Sequence, residues 1–342
     1  MSKANTRKSL IDVLFVIVPH ALVLDVAGPA EAFRLANLRH EYRNQPARFR
    51  LRFAGPVANP VTSVGLTLSA LEPLPRTFNS PTWVVLAGQP SVQVGQVTRS
   101  IVDTAEWLRG TLKAPLEAAG SAHRLITICS GTLLAARAGL TDNRQCTTHH
   151  DLLDALRELA PRAKVVDNRV FMLDGPLASS AGITAGIDLA LHLIAKECGE
   201  GLAASVAQDM VVYLRRSSRD PELSPFLSHR RHLHAAVHRV QDAVSAAPER
   251  AWDMAAMAAA GHVTERHLLR LFLHHAGVSP LHYLQAIRLT LARQSLEHGA
   301  SVSRAAESAG FRSGLQLRRA WSRQWGGSPR DVAGARATDV QA

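Results

Sequence analysis

Two groups of residues in this chain have types and spacings suited to chemistry. The first centres on Cys129. An apolar run, RLITI at residues 124–128, leads directly into Cys129-Ser130-Gly131, and a helix-forming segment follows from Thr132 to Ala138. A cysteine at a strand-to-helix turn with small neighbours has the form of a nucleophile elbow. The start of the helix would lower the thiol pKa and present backbone N–H groups to an anion. Ala87-Gly88, after the strand-like run 83–86, is a second turn at the carboxyl end of a strand. The other group is basic. Residues 217–342 hold 16 arginines, no lysine and 10 acidic residues, a balance of +6, together with 10 of the 16 histidines. Arginine makes the bidentate contacts that phosphates and guanine edges require. The whole chain carries a formal charge of +11, which favours an anionic partner. A GC-rich coding bias toward arginine and alanine is the bland explanation, so spacing counts for more than charge.

The basic residues sit on a helix pattern that occurs twice. Asp253 is placed to cap a short Ala-rich helix, residues 254–260, and Gly261 is expected to take the positive φ of the turn. Thr264 caps the next helix, residues 265–276. On it Leu268, Leu271 and Phe272 face inward, and Arg266, His267, Arg270 and His274 face largely outward. Gly277 stops this helix, and Ser279-Pro280 starts a longer one, residues 281–296. The pattern then returns: Val302, Ala305 and Ala306, a turn at Ala309-Gly310-Phe311, Ser313 as cap, and Leu317, Trp321 and Trp325 inward. Two helix-turn-helix units separated by a spacer helix suit successive major-groove segments of DNA. The candidate contacts are Thr264, Glu265, Arg266, His267 and Arg270 on the first unit. On the second they are Arg312, Ser313, Gln316, Arg318, Arg319 and Arg323. For any single residue a solvated helix face competes with this reading; for the surface as a whole, DNA binding is preferred.

Upstream, short apolar runs alternate with helical stretches. Strands are expected at 10–18, 49–54, 83–86, 124–128 and 178–181, a small hairpin arm at 64–68, and a strand pair at 165–167 and 170–173. Helices are expected to open near Pro29 and to cover 100–112, 132–138, 151–160, 184–197 and 202–216. Such alternation predicts a doubly wound α/β domain with a mostly parallel sheet. At 342 residues the chain divides into an α/β domain at 10–200, a helix and linker at 201–230, and an all-α domain at 231–335. Residues 1–9 read as a polar leader and 217–227 as a Pro/Ser-rich linker. The three cysteines have no paired spacing, which fits a reducing cytoplasm, and Cys146 and Cys198 read as packing residues. His149 and His150 are adjacent, so their rings are expected to point apart. His274-His275 and the histidines from His229 to His238 read as solvated or phosphate-facing surface. No metal or cofactor is expected. Residues 10–18 are too short to span a bilayer and no secretory signal is visible, so a cytoplasmic protein without a membrane partner is expected.

Both halves resemble known families. Thr264-x-Arg266-x-Leu268-x-Arg270-x-Phe272, Gly277-x-Ser279-Pro280-x-x-Tyr283, Arg288-Leu289, Ala292-Arg293, Ala309-Gly310-Phe311 and Gly326-x-Ser328-Pro329 are similar to the DNA-binding domain of AraC/XylS-type transcriptional regulators. Leu317, Trp321 and Trp325 stand where that family usually has Phe. Residues 10–200 resemble the PfpI-like, class I glutamine amidotransferase-like fold, a flavodoxin-like arrangement. The matching segments are Leu24 to Pro29, Thr127 to Gly131, Thr147 to His149 and Ser180 to Asp188. More narrowly, the set is similar to the version of that fold joined to an AraC-type domain, the GlxA-like regulators.

The resemblance implies an elbow cysteine at Cys129, a carboxylate at Asp25 and a histidine, for which His149 is the candidate. Relatives with hydrolase activity typically have His directly after the cysteine, where this chain has Ser130. The implied ligand site is Asp25, Gly88, Cys129, Ser130 and His149. The implied partners are double-stranded DNA, a small-molecule effector, a second copy of the chain and RNA polymerase, with activation as the mode of control. A Cys-dependent amidase or hydratase is the alternative. The preferred reading of Cys129 is an inherited turn that shapes a ligand pocket. For Asp25 the competing role is a helix cap near Pro29; for His149 and His150 it is capping the helix that begins near Asp151.

Overall fold

The computed structural model describes residues 9–212, 216, 218, 229–230, 232–297 and 299–334. The polar leader and the linker therefore lie almost wholly outside the described residues. The chain divides into two compact units, Met1–Glu222 and Leu223–Ala342.

The strands of the first unit are β1 (Ile11–Val16), β2 (Phe49–Gly55), β3 (Glu72–Pro73), β4 (Thr82–Leu86), β5 (Arg124–Ile128), β6 (Gln145–Cys146), β7 (Lys164–Val165), β8 (Phe171–Asp174) and β9 (Leu177–Ser180). Its helices are α1 (Val23–Glu41), α2 (Ser91–Val94), α3 (Arg99–Trp107), α4 (Lys113–Glu117), α5 (Gly131–Arg137), α6 (Leu153–Leu159), α7 (Ile183–Cys198) and α8 (Glu200–Asp209). Seven strands form one sheet in the order β3-β2-β1-β4-β5-β9-β8. All neighbours in it run parallel except β8, which is antiparallel to β9. This is the doubly wound, flavodoxin-like α/β fold with a mostly parallel sheet.

Every residue of β1 is buried, as a strand covered on both faces must be. Alternate side chains go to opposite faces. Val13, Phe15, Trp83, Val85, Ile126 and Ile128 pack with α1, α7 and α8. Leu14, Val16, Val84, Leu86 and Leu125 pack with α3, α5 and α6. The chain passes from β1 to one side for β2 and to the other for β4. That reversal opens a crevice at the carboxyl ends of β1 and β4, the usual ligand position in such sheets.

Several local expectations need correction. Helix α1 begins at Val23, so Pro29 lies inside it rather than near its start. The strand at 171–174 pairs with β9, not with 165–167, which instead pairs with β6. The arm at 64–68 is a turn closed by a single bridge, Val61 to Thr67, and not a hairpin. Helix α8 ends at Asp209, and its Leu202, Ala203 and Val206 belong to the core of the first unit. No helix among the described residues is long and apolar enough to cross a membrane.

The second unit is helical: α9 (Ala235–Ala246), α10 (Met254–Gly261), α11 (Glu265–His275), α12 (Pro280–Glu297), α13 (Val302–Ser308), α14 (Gly314–Trp325) and α15 (Pro329–Gly334). Asp253, Thr264, Ser301 and Ser313 each accept a hydrogen bond from a backbone N–H of the helix they cap. The positive φ of the first turn falls on His262 (φ 55°), not Gly261. Gly261 is the last residue of α10, and a Cβ there would come within 3.0 Å of Val240 Cγ2 on α9. In the second turn the glycine is needed. Gly310 has φ +80°, and a Cβ would lie 2.6 Å from Glu249 Cα.

Helix α12 belongs to two cores. Tyr283, Leu284 and Ile287 pack with α9, α10 and α11. Leu289, Ala292 and Leu296 pack with α13 and α14. Arg288, between them, donates from Nε to Pro248 O at 2.8 Å and from its terminal nitrogen to Arg250 O at 2.7 Å. That pins the segment before α10 against the turn of the second helix-turn-helix.

Candidate functional site

Asp25, Gly88, Cys129 and Ser130 meet at the carboxyl edge of the sheet. Gly88 N donates to Asp25 Oδ2 at 2.9 Å. A Cβ built on Gly88 would lie 2.8 Å from Asp25 Oδ2, 2.9 Å from Cys129 Cβ and 2.9 Å from Ser130 Oγ. Three side chains close on the one residue that has none. Cys129 takes φ 53°, the left-handed region that a residue with a Cβ rarely occupies. Its backbone is held there on both sides. Cys129 N donates to Ser180 O at 3.0 Å, and Thr148 Oγ1 donates to Cys129 O at 2.8 Å. Backbone strain of this kind persists only where the surroundings over-determine it.

Asp25 is fully buried in the first turn of α1. It caps no helix: its carboxylate serves the Gly88 N–H, and its other oxygen, Oδ1, has no hydrogen-bond partner among the described residues. Burial pushes its pKa up from 3.8 to about 6, against the pull of the Gly88 N–H. The folded state therefore holds this proton more tightly than the unfolded chain. Ionised Asp25 is a cost that grows as pH rises from about 4 and is fully present above about pH 6. Asp25→Asn keeps the acceptor for Gly88 and removes the charge. It is expected to stabilise the first unit at pH 7.5 by about 2–3 kcal/mol and to gain far less near pH 4. Thermal melts at the two pH values check this; equal shifts at both would refute it.

Ser130 Oγ accepts from Gln89 N at 2.6 Å and donates to Gln89 O at 2.9 Å, so its hydroxyl is tied into the wall of the turn. His149 caps the short 3-10 turn His150–Leu152, accepting at Nδ1 from Asp151 N at 3.4 Å. Its ring lies against the turn after β9: a Cβ on Gly182 would be 3.2 Å from His149 Cδ2. The rings of His149 and His150 do not point apart. Their centroids are 4.0 Å apart, because His149 is extended while His150 starts the 3-10 turn. With Asp151 they bring three possible metal-ligand atoms within 4.8 Å of one another. Cys146 is buried, and burial pushes its thiol up to about 11.

In the second unit, Thr264, Glu265, Arg266, Arg270, Arg312, Ser313, Gln316, Arg318, Arg319 and Arg323 are exposed, and His267 is half-buried. Thr264 and Ser313 also act as the helix caps. Gln316 Oε1 accepts from the N–H of Arg312, the residue before the cap, at 2.8 Å. Leu317 and Trp321 are buried as their spacing required. Trp325 is not; it is 37% exposed, edge-on to Trp321 and beneath the Arg293 guanidinium. His274 is exposed, as expected, but the histidines from His229 to His238 and His275 are half-buried rather than solvated. His229 donates to Ala276 O at 3.0 Å, His238 donates to His232 O, and the rings of His234 and His275 lie 4.6 Å apart. Burial, followed by neighbouring imidazoles, holds His232 and His275 below the ordinary histidine pKa.

Three outward leucines escaped the sequence reading: Leu269, Leu273 and Leu315 are 40%, 53% and 54% exposed. Helical phase turns Leu269 and Leu273 about 100° round the helix from Leu268 and Phe272 and puts Leu315 opposite Leu317, and that signal was available.

Comparison with known proteins agrees with this architecture. Residues 257–334 match a family described as a helix-turn-helix domain, and residues 109–196 match the DJ-1/PfpI family. The chain thus joins an AraC-type helix-turn-helix domain to a DJ-1/PfpI domain. It is 34% identical over 214 residues to the HTH-type transcriptional regulator GbdR of Pseudomonas aeruginosa, covering 61% of this chain and 57% of that protein. It is 29% identical to the HTH-type transcriptional regulator CdhR of the same species, over 93% of this chain and 90% of the other. With the HTH-type transcriptional regulator GlxA of Rhizobium meliloti it shares 33% identity, over 60% of this chain and 64% of the relative. The matched region thus spans little more than half the length of GbdR.

Proposed function

We propose that the protein is a sequence-specific DNA-binding transcriptional regulator governed by a small molecule bound in its first unit. The supporting observation is the doubled, capped helix-turn-helix, whose arginines face outward on α11 and α14 while α12 is packed into both cores. Phosphate contacts through Arg312 and Arg323 would set position, and the outward faces of α11 and α14 would read bases. The effector would occupy the crevice at Asp25, Gly88, Cys129, Ser130 and His149. The same reading carries a cytoplasmic homodimer that activates transcription through RNA polymerase. Band-shift titration against genomic fragments, with non-specific competitor and varied salt, tests it. Binding that shows no sequence preference would sink the proposal.

The strained Cys129 and Asp25, whose carboxyl pKa burial pushes up to about 6, favour a second reading, a Cys-dependent amidase or hydratase. Cys129→Ser separates the two. Under the regulator reading it alters the response to effector and leaves operator affinity within about twofold, since DNA binding rests on phosphate and base contacts of the second unit. Under the enzyme reading, it abolishes a measurable turnover.

A further inference from the structure

The two recognition helices can be laid over each other from their caps, because Thr264 on α11 and Ser313 on α14 do the same job. Counting from each cap, the inward positions agree: Leu268 with Leu317, Leu271 with Ala320, Phe272 with Trp321, all buried. The outward positions do not. The second residue after the cap is Arg266 in one helix and Leu315 in the other; the fifth is Leu269 in one and Arg318 in the other. All four are exposed. The sixth, Arg270 and Arg319, is the same in both and also exposed. Arginine and leucine have exchanged places at these two positions; the first and third residues after the cap differ as well, Glu265 and His267 against Gly314 and Gln316.

The exchange has a chemical consequence, which rests on the DNA-binding reading given above. A position that carries arginine toward a base edge in one unit carries leucine toward a base edge in the other. Arginine is matched by the two acceptors of guanine, O6 and N7. Leucine can hydrogen-bond to nothing, and against a polar base edge it would strip water without replacing it. The one apolar group that the major groove offers is the 5-methyl of thymine. We infer that Leu269 and Leu315 are specificity residues that each cover a thymine methyl. The operator is then a composite of two unlike half-sites, in which guanine and thymine are read in opposite order. The arginines around both leucines supply the charge complementarity that makes nucleic acid the occupant of these faces.

Binding sites are first selected in vitro from random duplex DNA with the full chain. Each thymine of the selected site is then replaced by deoxyuridine, which deletes only the methyl group. The wild-type protein is expected to lose affinity about fourfold at one thymine in each half-site, the value of one buried methyl-sized group. Leu269→Ser should abolish that response in one half-site and Leu315→Ser in the other, with both variants melting as wild type. The exchange variant, Arg266→Leu with Leu269→Arg, should select a site in which guanine and thymine are read in the same order in both halves. The inference is overturned if a sequence is enriched yet deoxyuridine is neutral throughout. It is also overturned if the leucine variants bind DNA normally but lose transcription, which would assign the leucines to a protein partner. Failure to enrich any sequence would instead remove the regulator reading on which it stands.

Discussion

Gly131→Ala is expected to destabilise the first unit by about 3 kcal/mol or more, enough to threaten folding. A Cβ at Gly131 would run into Leu86 O and lie 3.0 Å from Leu86 C and 3.3 Å from Ala87 O. These are backbone atoms, so no rotamer change relieves the clash. Leu86 is fixed by its pairing with both β1 and β5, in register with Val16 and Thr127. The alternative, moving α5 outward, would pull Leu133, Leu134 and Ala135 from their core. Urea denaturation checks the size of the effect. Gly201→Ala on α8 is the control, because a Cβ there meets nothing within 4 Å. It is expected to stabilise by about 0.5–1 kcal/mol through helix propensity. Equal midpoints for the two variants would mean that α5 does not press on β4 as described.

Arg266→Ala and Arg318→Ala are each expected to weaken operator binding about tenfold or more, the range for a lost bidentate base contact. Both side chains are exposed, so neither truncation touches a core. Arg323→Ala should behave differently, weakening all sequences alike and reducing the salt slope by about one. Band-shift titrations at two salt concentrations distinguish the cases. Unchanged affinity for both Arg266→Ala and Arg318→Ala would remove α11 and α14 as the reading surface.

The fold was legible where its causes are local. Thr264, Ser313 and Asp253 could be assigned as caps because a cap bonds to an N–H within its own first turn. The buried strands were legible because a sheet covered on both faces leaves continuous apolar runs. What escaped depends on partners far along the chain. Pro29 suggested a helix start, but α1 begins at Val23, and Asp25 in its first turn accepts from the Gly88 N–H after β4. Gly261 suggested a left-handed turn residue, yet its smallness is used against Val240 on another helix. The histidines from His229 to His238 looked solvated because their contact with His275 and Ala276 exists only after folding. Of the candidate ligand site, Cys129 was legible from its strand-to-helix context. The closeness of Asp25, Gly88 and Ser130 follows from sheet order, which no spacing along the chain encodes.

Helix α12 has a consequence for how an operator can vary. Its 18 residues measure about 27 Å, and the side chains along that length are divided between two cores with no free turn between them. A reader on a flexible tether tolerates insertions between the segments it recognises. Among the described residues, α12 has no hinge at which to absorb them. One extra base pair between the half-sites would turn the second away by about 35°, so the phase of the target is written into a single helix.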